Sequence, residues 1–253
     1  MVKRSQKQQQ DLVKRQKFQA DRQVPQIHPK TENQRKFFNA LNEKTLIVGR
    51  GSAGSGKSLI SCYVAARELS LNHVKKIVLI RAYQPLAGRS TGFLPGSVEE
   101  KLYPYYAQMI EYLEDVLGKA AVEIALKHKT IEICPLETIR GRNWDDAYVV
   151  CDEAQNLYVA EIQAIVTRVG HNTKLVFVGD HTPIQNDVKK GENGLDYLVR
   201  ILKKYNITDS EIITFGYDDI LRSGITRDFV IAFDKETQEE ERQQQRQNTR
   251  RTN

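Results

Sequence analysis

The chain of 253 residues is short of several things, and each shortage excludes a class of protein. It has three cysteines, Cys62, Cys134 and Cys151, scattered too widely for a disulfide framework or a zinc site. Its apolar runs are short: Leu46 to Val48, Ile77 to Ile80, Tyr148 to Cys151 and Leu175 to Val178. None approaches the roughly 18 residues of a membrane helix, and the N-terminus lacks the apolar stretch of a signal peptide. The expected setting is therefore a reducing cytoplasm, with no membrane partner. Disorder throughout is excluded as well, because 40% of the residues are hydrophobic and 28% charged. The length suits one ordinary domain better than two.

Basic charge is also absent where it would matter most. The formal net charge is +6, but residues 1–30 carry eight Lys/Arg against two Asp. The remaining 223 residues balance at 30 basic and 30 acidic side chains, so no long-range positive field follows for the folded body. The same thirty residues hold eight glutamines and few apolar groups. Residues 234–253 are similar in character, with Glu236, Glu239, Glu240 and Glu241 followed by Arg242, Arg246, Arg250 and Arg251. Neither end can bury enough apolar surface to order itself alone. Three readings stay open for them: solvated ends, an arm that docks on phosphates, or a helical extension at an oligomer contact. The expected organisation is a basic Gln-rich tail over 1–30, one domain over 31–233 and a charged tail over 234–253.

Between the tails, short β-branched runs alternate with segments of helical period. This pattern predicts an α/β fold, a mostly parallel sheet with helices on both faces. Strands are expected at Thr45–Arg50, Lys76–Arg81, Thr130–Cys134, Ala147–Cys151, Lys174–Val178 and Glu211–Phe215. Helices are expected at Lys57–Leu71, from Ser97 onward with a kink at Pro104, at Val159–Val169 and at Gly194–Lys204.

The most specific signal joins the first strand to its helix. Gly51-Ser52-Ala53-Gly54-Ser55-Gly56-Lys57-Ser58 matches the G-x-x-x-x-G-K-[ST] phosphate-binding loop, and Leu59 follows it into the helix. Glycines let backbone N–H groups curl around a phosphate, and the helix N-terminus adds its positive end. Lys57 supplies a mobile charge for the β- and γ-phosphates of ATP, and Ser58 a hydroxyl for Mg2+. A carboxylate for the same ion should end a buried strand, and Ala147 to Cys151 delivers Asp152 there. Glu153 is then placed to orient and deprotonate water, and Gln155 to sense the γ-phosphate. A third strand ends in Gly179-Asp180, making Asp180 and Thr182 candidate sensors of the hydrolysis state.

These residues resemble a known family. Asp152-Glu-Ala-Gln155 and Gly179-Asp180 look like motifs II and III of superfamily 1 helicases. The text between is closer to the PhoH-like ATPases: Gly92-Phe-Leu-Pro-Gly96 with Glu100-Lys101 and Pro104-Tyr105, Pro135-Leu136 with Arg140-Gly-Arg142, and Asp152 to Asn156. The resemblance covers about residues 31–233. It departs in motif III, where Pro183 stands at the usual glutamine position and Gln185 follows two places later.

The resemblance implies a single RecA-like P-loop NTPase domain that hydrolyses ATP and works on RNA or DNA, in a family common in bacteriophages as well as bacteria. It makes Gln34 the counterpart of an adenine-recognising glutamine, and Arg222 and Arg227 part of the family's C-terminal arginine motif, catalytic candidates of which either could reach ATP as an arginine finger in its own subunit or in a neighbour. Superfamily 1 helicases close two such domains over ATP. One domain leaves the γ-phosphate side open, so either subunits associate and each neighbour completes the site, with a hexameric ring the expected assembly, or the protein hydrolyses ATP without processive unwinding. RNA or single-stranded DNA is expected to lie along Arg81, Tyr83, Arg89 and Phe93, cations interleaved with aromatics, with Arg140 and Arg142 as further contacts. Two other classes stay open: a non-catalytic, ATP-gated binding module, and a P-loop kinase of a small acceptor.

Overall fold

A computed structural model describes residues 25–82, 98–180 and 193–252. Six strands form one sheet: β1 (Leu46–Gly51), β2 (Lys76–Arg81), β3 (Ile131–Ile133), β4 (Ala147–Asp152), β5 (Lys174–Gly179) and β6 (Ser210–Phe215). Their spatial order is β3-β2-β4-β5-β1-β6, and every pairing is parallel. Seven α-helices accompany them among the described residues: α1 (Glu32–Glu43), α2 (Lys57–Ser70), α3 (Val98–Leu117), α4 (Lys119–Lys127), α5 (Val159–Val166), α6 (Gly194–Lys204) and α7 (Ile225–Thr252).

A parallel sheet needs cover on both faces, and the strands are apolar accordingly. β4 is buried at all six of its positions. Alternate strand residues point to opposite layers. Ile47, Ile77, Leu79, Tyr148, Val150, Val176 and Val178 pack with Phe37 and Leu41 of α1, Ile60 and Val64 of α2, Met109 and Leu113 of α3 and Val122 of α4. Val48, Val78, Ile80, Val149, Cys151, Leu175 and Phe177 face Ile162 and Ile165 of α5 and Leu195, Leu198 and Leu202 of α6. Full burial of such side chains contributes about 1.5–3 kcal/mol each, whereas an exposed pair such as Glu32–Lys36 is screened by water and adds little. The two apolar layers hold the fold.

The expected elements are present with ends that coincide or are shifted by at most three residues, as fraying termini allow. Three helices, α1, α4 and the start of α7, were not expected. α1 starts where the Thr31 hydroxyl accepts from Gln34 N–H at 3.2 Å, and α4 starts after Gly118, whose φ of +79° turns the chain out of α3. Pro104 lies inside α3, within the helix where the sequence places it. α7 continues past residue 234 and runs to Thr252, so the charged end, for which three readings were open, is helical as far as it is described. No helix among the described residues is long and apolar enough to cross a membrane.

The chain leaves β1 and crosses two strands to reach β2, then returns through β4 and β5. Such a reversal opens a crevice at the carboxyl ends of the strands. Gly51 sits at its edge with φ +148°, and a Cβ there would lie 2.4 Å from the Phe215 carbonyl oxygen. Gly51→Ala therefore has to displace β6 and is expected to cost about 1–3 kcal/mol. Gly216→Ala, where a Cβ meets nothing within 4 Å, should leave the urea midpoint nearly unchanged. Equal midpoints for the two variants would show that β6 yields freely.

Candidate nucleotide-binding site

The loop between β1 and α2 is folded around its own lysine. Gly54 and Gly56 take left-handed φ values of +85° and +80°, which turn the backbone through Ser52 to Gly56. Lys57 is 8% exposed. Its ammonium donates to the Gly51 carbonyl at 2.6 Å, the Ser52 carbonyl at 2.9 Å and Ser55 Oγ at 3.0 Å, which uses all three protons. Burial lowers its pKa from the ordinary lysine value, and the charges of Asp180, Asp152 and Glu153 oppose that shift. Ser52 and Ser55 are buried, Ala53 half-buried and Leu59 exposed at the outer face of α2.

The carboxylates arrive from β4. Ser58 Oγ donates to Asp152 Oδ1 at 2.8 Å, so the two residues expected at Mg2+ come together although 94 positions separate them. The pair offers hard oxygen donors, the chemistry Mg2+ prefers, with phosphate oxygens to complete the shell. Among the described residues there is no cluster of three acidic, histidine or cysteine side chains that would bind a metal without such help.

Glu153 leaves the strand in a left-handed conformation with φ +52°, an uncommon state for a non-glycine residue. Its carboxylate is held from both sides: Arg81 Nη2 lies 3.3 Å from Oε1, and Gln155 Nε2 donates to Oε2 at 2.6 Å. Burial, and next the charge of Asp152, raise its pKa above the ordinary glutamate value, with Gln155, Arg81 and Lys57 pulling the other way. Gln155 also accepts from Asp180 N–H at 2.9 Å, which links the ends of β4 and β5. Gly179 permits that approach, since a Cβ there would lie 2.6 Å from Gln155 Oε1. Asp180 is buried beside this link.

Arg81 thus belongs to the carboxylate cluster. Its Nη1 lies 3.9 Å from Asp152 Oδ2 and donates to the Tyr105 carbonyl at 2.7 Å. Tyr83, Arg89, Phe93, Thr182, Pro183, Gln185 and residues 1–24 lie outside the described residues. Arg140 is exposed, while Arg142 pairs with Glu132 on the edge strand β3 and donates to the Thr138 carbonyl at 2.8 Å.

Gln34 and Arg222 reach the loop from outside the core motifs. Gln34 Nε2 donates to the Ser55 carbonyl at 2.9 Å. A Cβ at Gly54 would lie 3.0 Å from Arg222 Cδ, so this arginine packs on the loop of its own subunit. Arg227 is engaged at longer range, 3.5 Å from the Tyr217 carbonyl. Sequence reasoning missed the pairing of Arg81 with Glu153 and the buried Asp219 beside Gln34. The only hint of the first was an arginine closing a strand, and its significance depends on strand order.

Comparison with known proteins agrees with this geometry. The family described as PhoH-like protein matches residues 26–234. A PhoH-like protein of Bacillus subtilis is 37% identical over 211 residues, which is 83% of this chain and 65% of that protein. Protein PhoH of Escherichia coli is 32% identical over 215 residues, 84% of this chain and 59% of its own length. A PhoH-like protein of Synechocystis is 29% identical over 213 residues, with 62% of its length covered. The chain thus matches about three fifths of the length of these relatives. With its phosphate-binding loop, its Ser58–Asp152 contact and its parallel sheet, it belongs to the PhoH-like protein family.

Proposed function

We propose that the protein hydrolyses ATP with Mg2+, that turnover is coupled to RNA or single-stranded DNA, and that it works as a homo-oligomer, a hexameric ring. The observation that carries hydrolysis is the contact of Ser58 with Asp152 beside a buried Lys57 and a clamped Glu153. Ser58 and Asp152 would hold Mg2+, which neutralises phosphate charge. Lys57 exchanges its loop acceptors for β- and γ-phosphate oxygens. Glu153 orients a water and takes its proton while the water oxygen attacks the γ-phosphorus and the bond to the bridging oxygen breaks, giving ADP and phosphate. Gln155 keeps Glu153 aimed and passes its position to the amide of Asp180.

The coupling reading is supported by Arg81. It stands first among the residues expected to grip a strand, and it touches the carboxylate that acts on water. A strand that drew this guanidinium away would alter Glu153 directly.

The assembly reading is supported by α7, whose polarity is reversed. Asp234 faces inward, 2% exposed, and accepts from the Tyr217 hydroxyl at 2.6 Å. Ile225, Phe229 and Phe233 face outward, 51–71% exposed and spaced by four on one helical face. Glu236, Glu239 and Glu240 follow on α7 and would repel a nucleic acid, so a second copy of the chain suits the patch.

ATP with Mg2+ at ~100 times its dissociation constant should stabilise the wild type by about 2.7 kcal/mol. In Lys57→Ala that gain should largely disappear, and an undiminished melting shift would place the nucleotide elsewhere. Glu153→Gln keeps the shape and loses the base, so it should bind ATP nearly as the wild type and hydrolyse it at least ~100-fold more slowly. Wild-type turnover in that variant, measured with no acceptor added, would remove Glu153 from the mechanism. The acid limb of the wild-type rate should lie above the ordinary glutamate range, because a carboxyl with a raised pKa loses its basic form at higher pH. For the assembly, Phe229→Glu with Phe233→Glu should reduce the mass seen by sedimentation to that of one chain. A wild type that sediments as a monomer at active concentrations would exclude the ring.

A further inference from the structure

Gln34 is expected from the resemblance to read adenine, yet its carboxamide is already committed to the backbone. The side chain is buried, 3% exposed. Its Nε2 donates to the Ser55 carbonyl at 2.9 Å and its Oε1 accepts from Lys30 N–H at 2.8 Å. Gly56 lets it approach, since a Cβ there would lie 3.2 Å from Gln34 Nε2.

The helix that carries Gln34 is itself tied down. Thr31, which caps α1, donates its hydroxyl to Asp219 Oδ1, and Asn33 Nδ2 donates to Asp219 Oδ2 at 2.8 Å. Gly216 N–H donates to the same Oδ2 at 2.8 Å. Asp219 is 3% exposed. Two residues beyond it, Leu221 N–H donates to the Gly54 carbonyl at 3.1 Å, and Arg222 packs on Gly54. Two successive carbonyls of the loop, Gly54 and Ser55, are therefore pinned from outside by two segments that meet at Asp219.

In a trans peptide the C=O and N–H point in opposite directions. Pinning the Gly54 carbonyl aims the Ser55 N–H away from the pin, and pinning the Ser55 carbonyl does the same for the Gly56 N–H. Free N–H groups on successive residues are what a phosphate needs. We propose that Gln34 and Asp219 form a clasp that sets the shape of the phosphate-binding loop, and that Gln34 is a positioning residue which reads no base. This rests on the reading of the loop as a nucleoside triphosphate site. The clasp acts on phosphate recognition alone, so its effect is the same for any base and for no base.

The test measures dissociation constants of the full chain, with Mg2+, for ATP, GTP and tripolyphosphate. Gln34→Met keeps the side-chain length and loses both hydrogen bonds. It should weaken all three ligands by the same factor, about threefold to tenfold, the worth of one to two neutral hydrogen bonds. Asn33→Ala, a milder change at a half-buried position, provides a second variant should Gln34→Met fail to fold. It should weaken all three in parallel by about twofold to threefold. Loss confined to ATP would make Gln34 an adenine reader and overturn the proposal. Unchanged constants in a folded variant would overturn it too, leaving the nucleotide site itself intact. Wild-type protein that binds none of the three would instead overturn the site reading, and the clasp with it.

Discussion

The burial of one ammonium group governs the layout of the site. Lys57 opens α2 at 8% exposure, and a charge so placed is costly unless hydrogen bonds and opposite charges surround it. Three acceptors from residues 51, 52 and 55 meet it at 2.6–3.0 Å, which forces the loop to wrap back on itself. The wrap needs left-handed backbone at Gly54 and Gly56. Asp152, Glu153 and Asp180 then raise the pKa that burial lowers. They can do so only because β4 and β5 end on the same edge of the sheet as β1.

Sequence-distant residues converge here through topology. β5 lies between β1 and β4, so Asp152 reaches Ser58 across the end of an intervening strand. That strand ends in Gly179, whose missing side chain leaves the space through which Gln155 touches the Asp180 amide. The ends of β2, β4 and β5 are then joined by Arg81, Glu153, Gln155 and Asp180 in one run of contacts. A displacement at any of these strand ends reaches the carboxylate beside the phosphate-binding loop.

The strands, the loop and the acidic pair were legible in the sequence because each is written locally. Ala147 to Asp152 reads as a buried strand that ends in acids, and Gly51 to Ser58 reads as a turn that only glycines permit. Strand order was not legible, and Arg81 shows the consequence. As text it is a cation before an aromatic, suited to a nucleic-acid strand. In space β2 pairs with β4 in register, Arg81 opposite Asp152, which adds contacts with carboxylates that the text alone does not show. α1 was missed because its signal is a single threonine cap ahead of a polar segment, and only Phe37, Ala40 and Leu41 bury a face beside Gln34. α7 was divided between readings because its apolar residues face solvent, whereas helical periodicity is usually read from the face that packs inward.

A further consequence concerns affinity. Lys57 is bonded to its own loop, Ser58 to Asp152, and Glu153 to Arg81 and Gln155. A nucleotide entering with its ion has to exchange these bonds rather than satisfy free groups. Exchanging one hydrogen bond for another of the same kind contributes little net free energy. Binding strength must then come from what the exchange does not cancel. One source is the multiple negative charge of the triphosphate against Lys57 and the N-terminus of α2. Another is the backbone N–H groups whose carbonyls are already pinned by Gln34 and Leu221, so that no ordering cost is left to meet on binding. The same logic separates the two glutamines. Gln155 bonds to the Glu153 carboxylate and the Asp180 amide, the groups to which the proposed function gives the chemistry, whereas Gln34 bonds only to backbone, at Ser55 and Lys30.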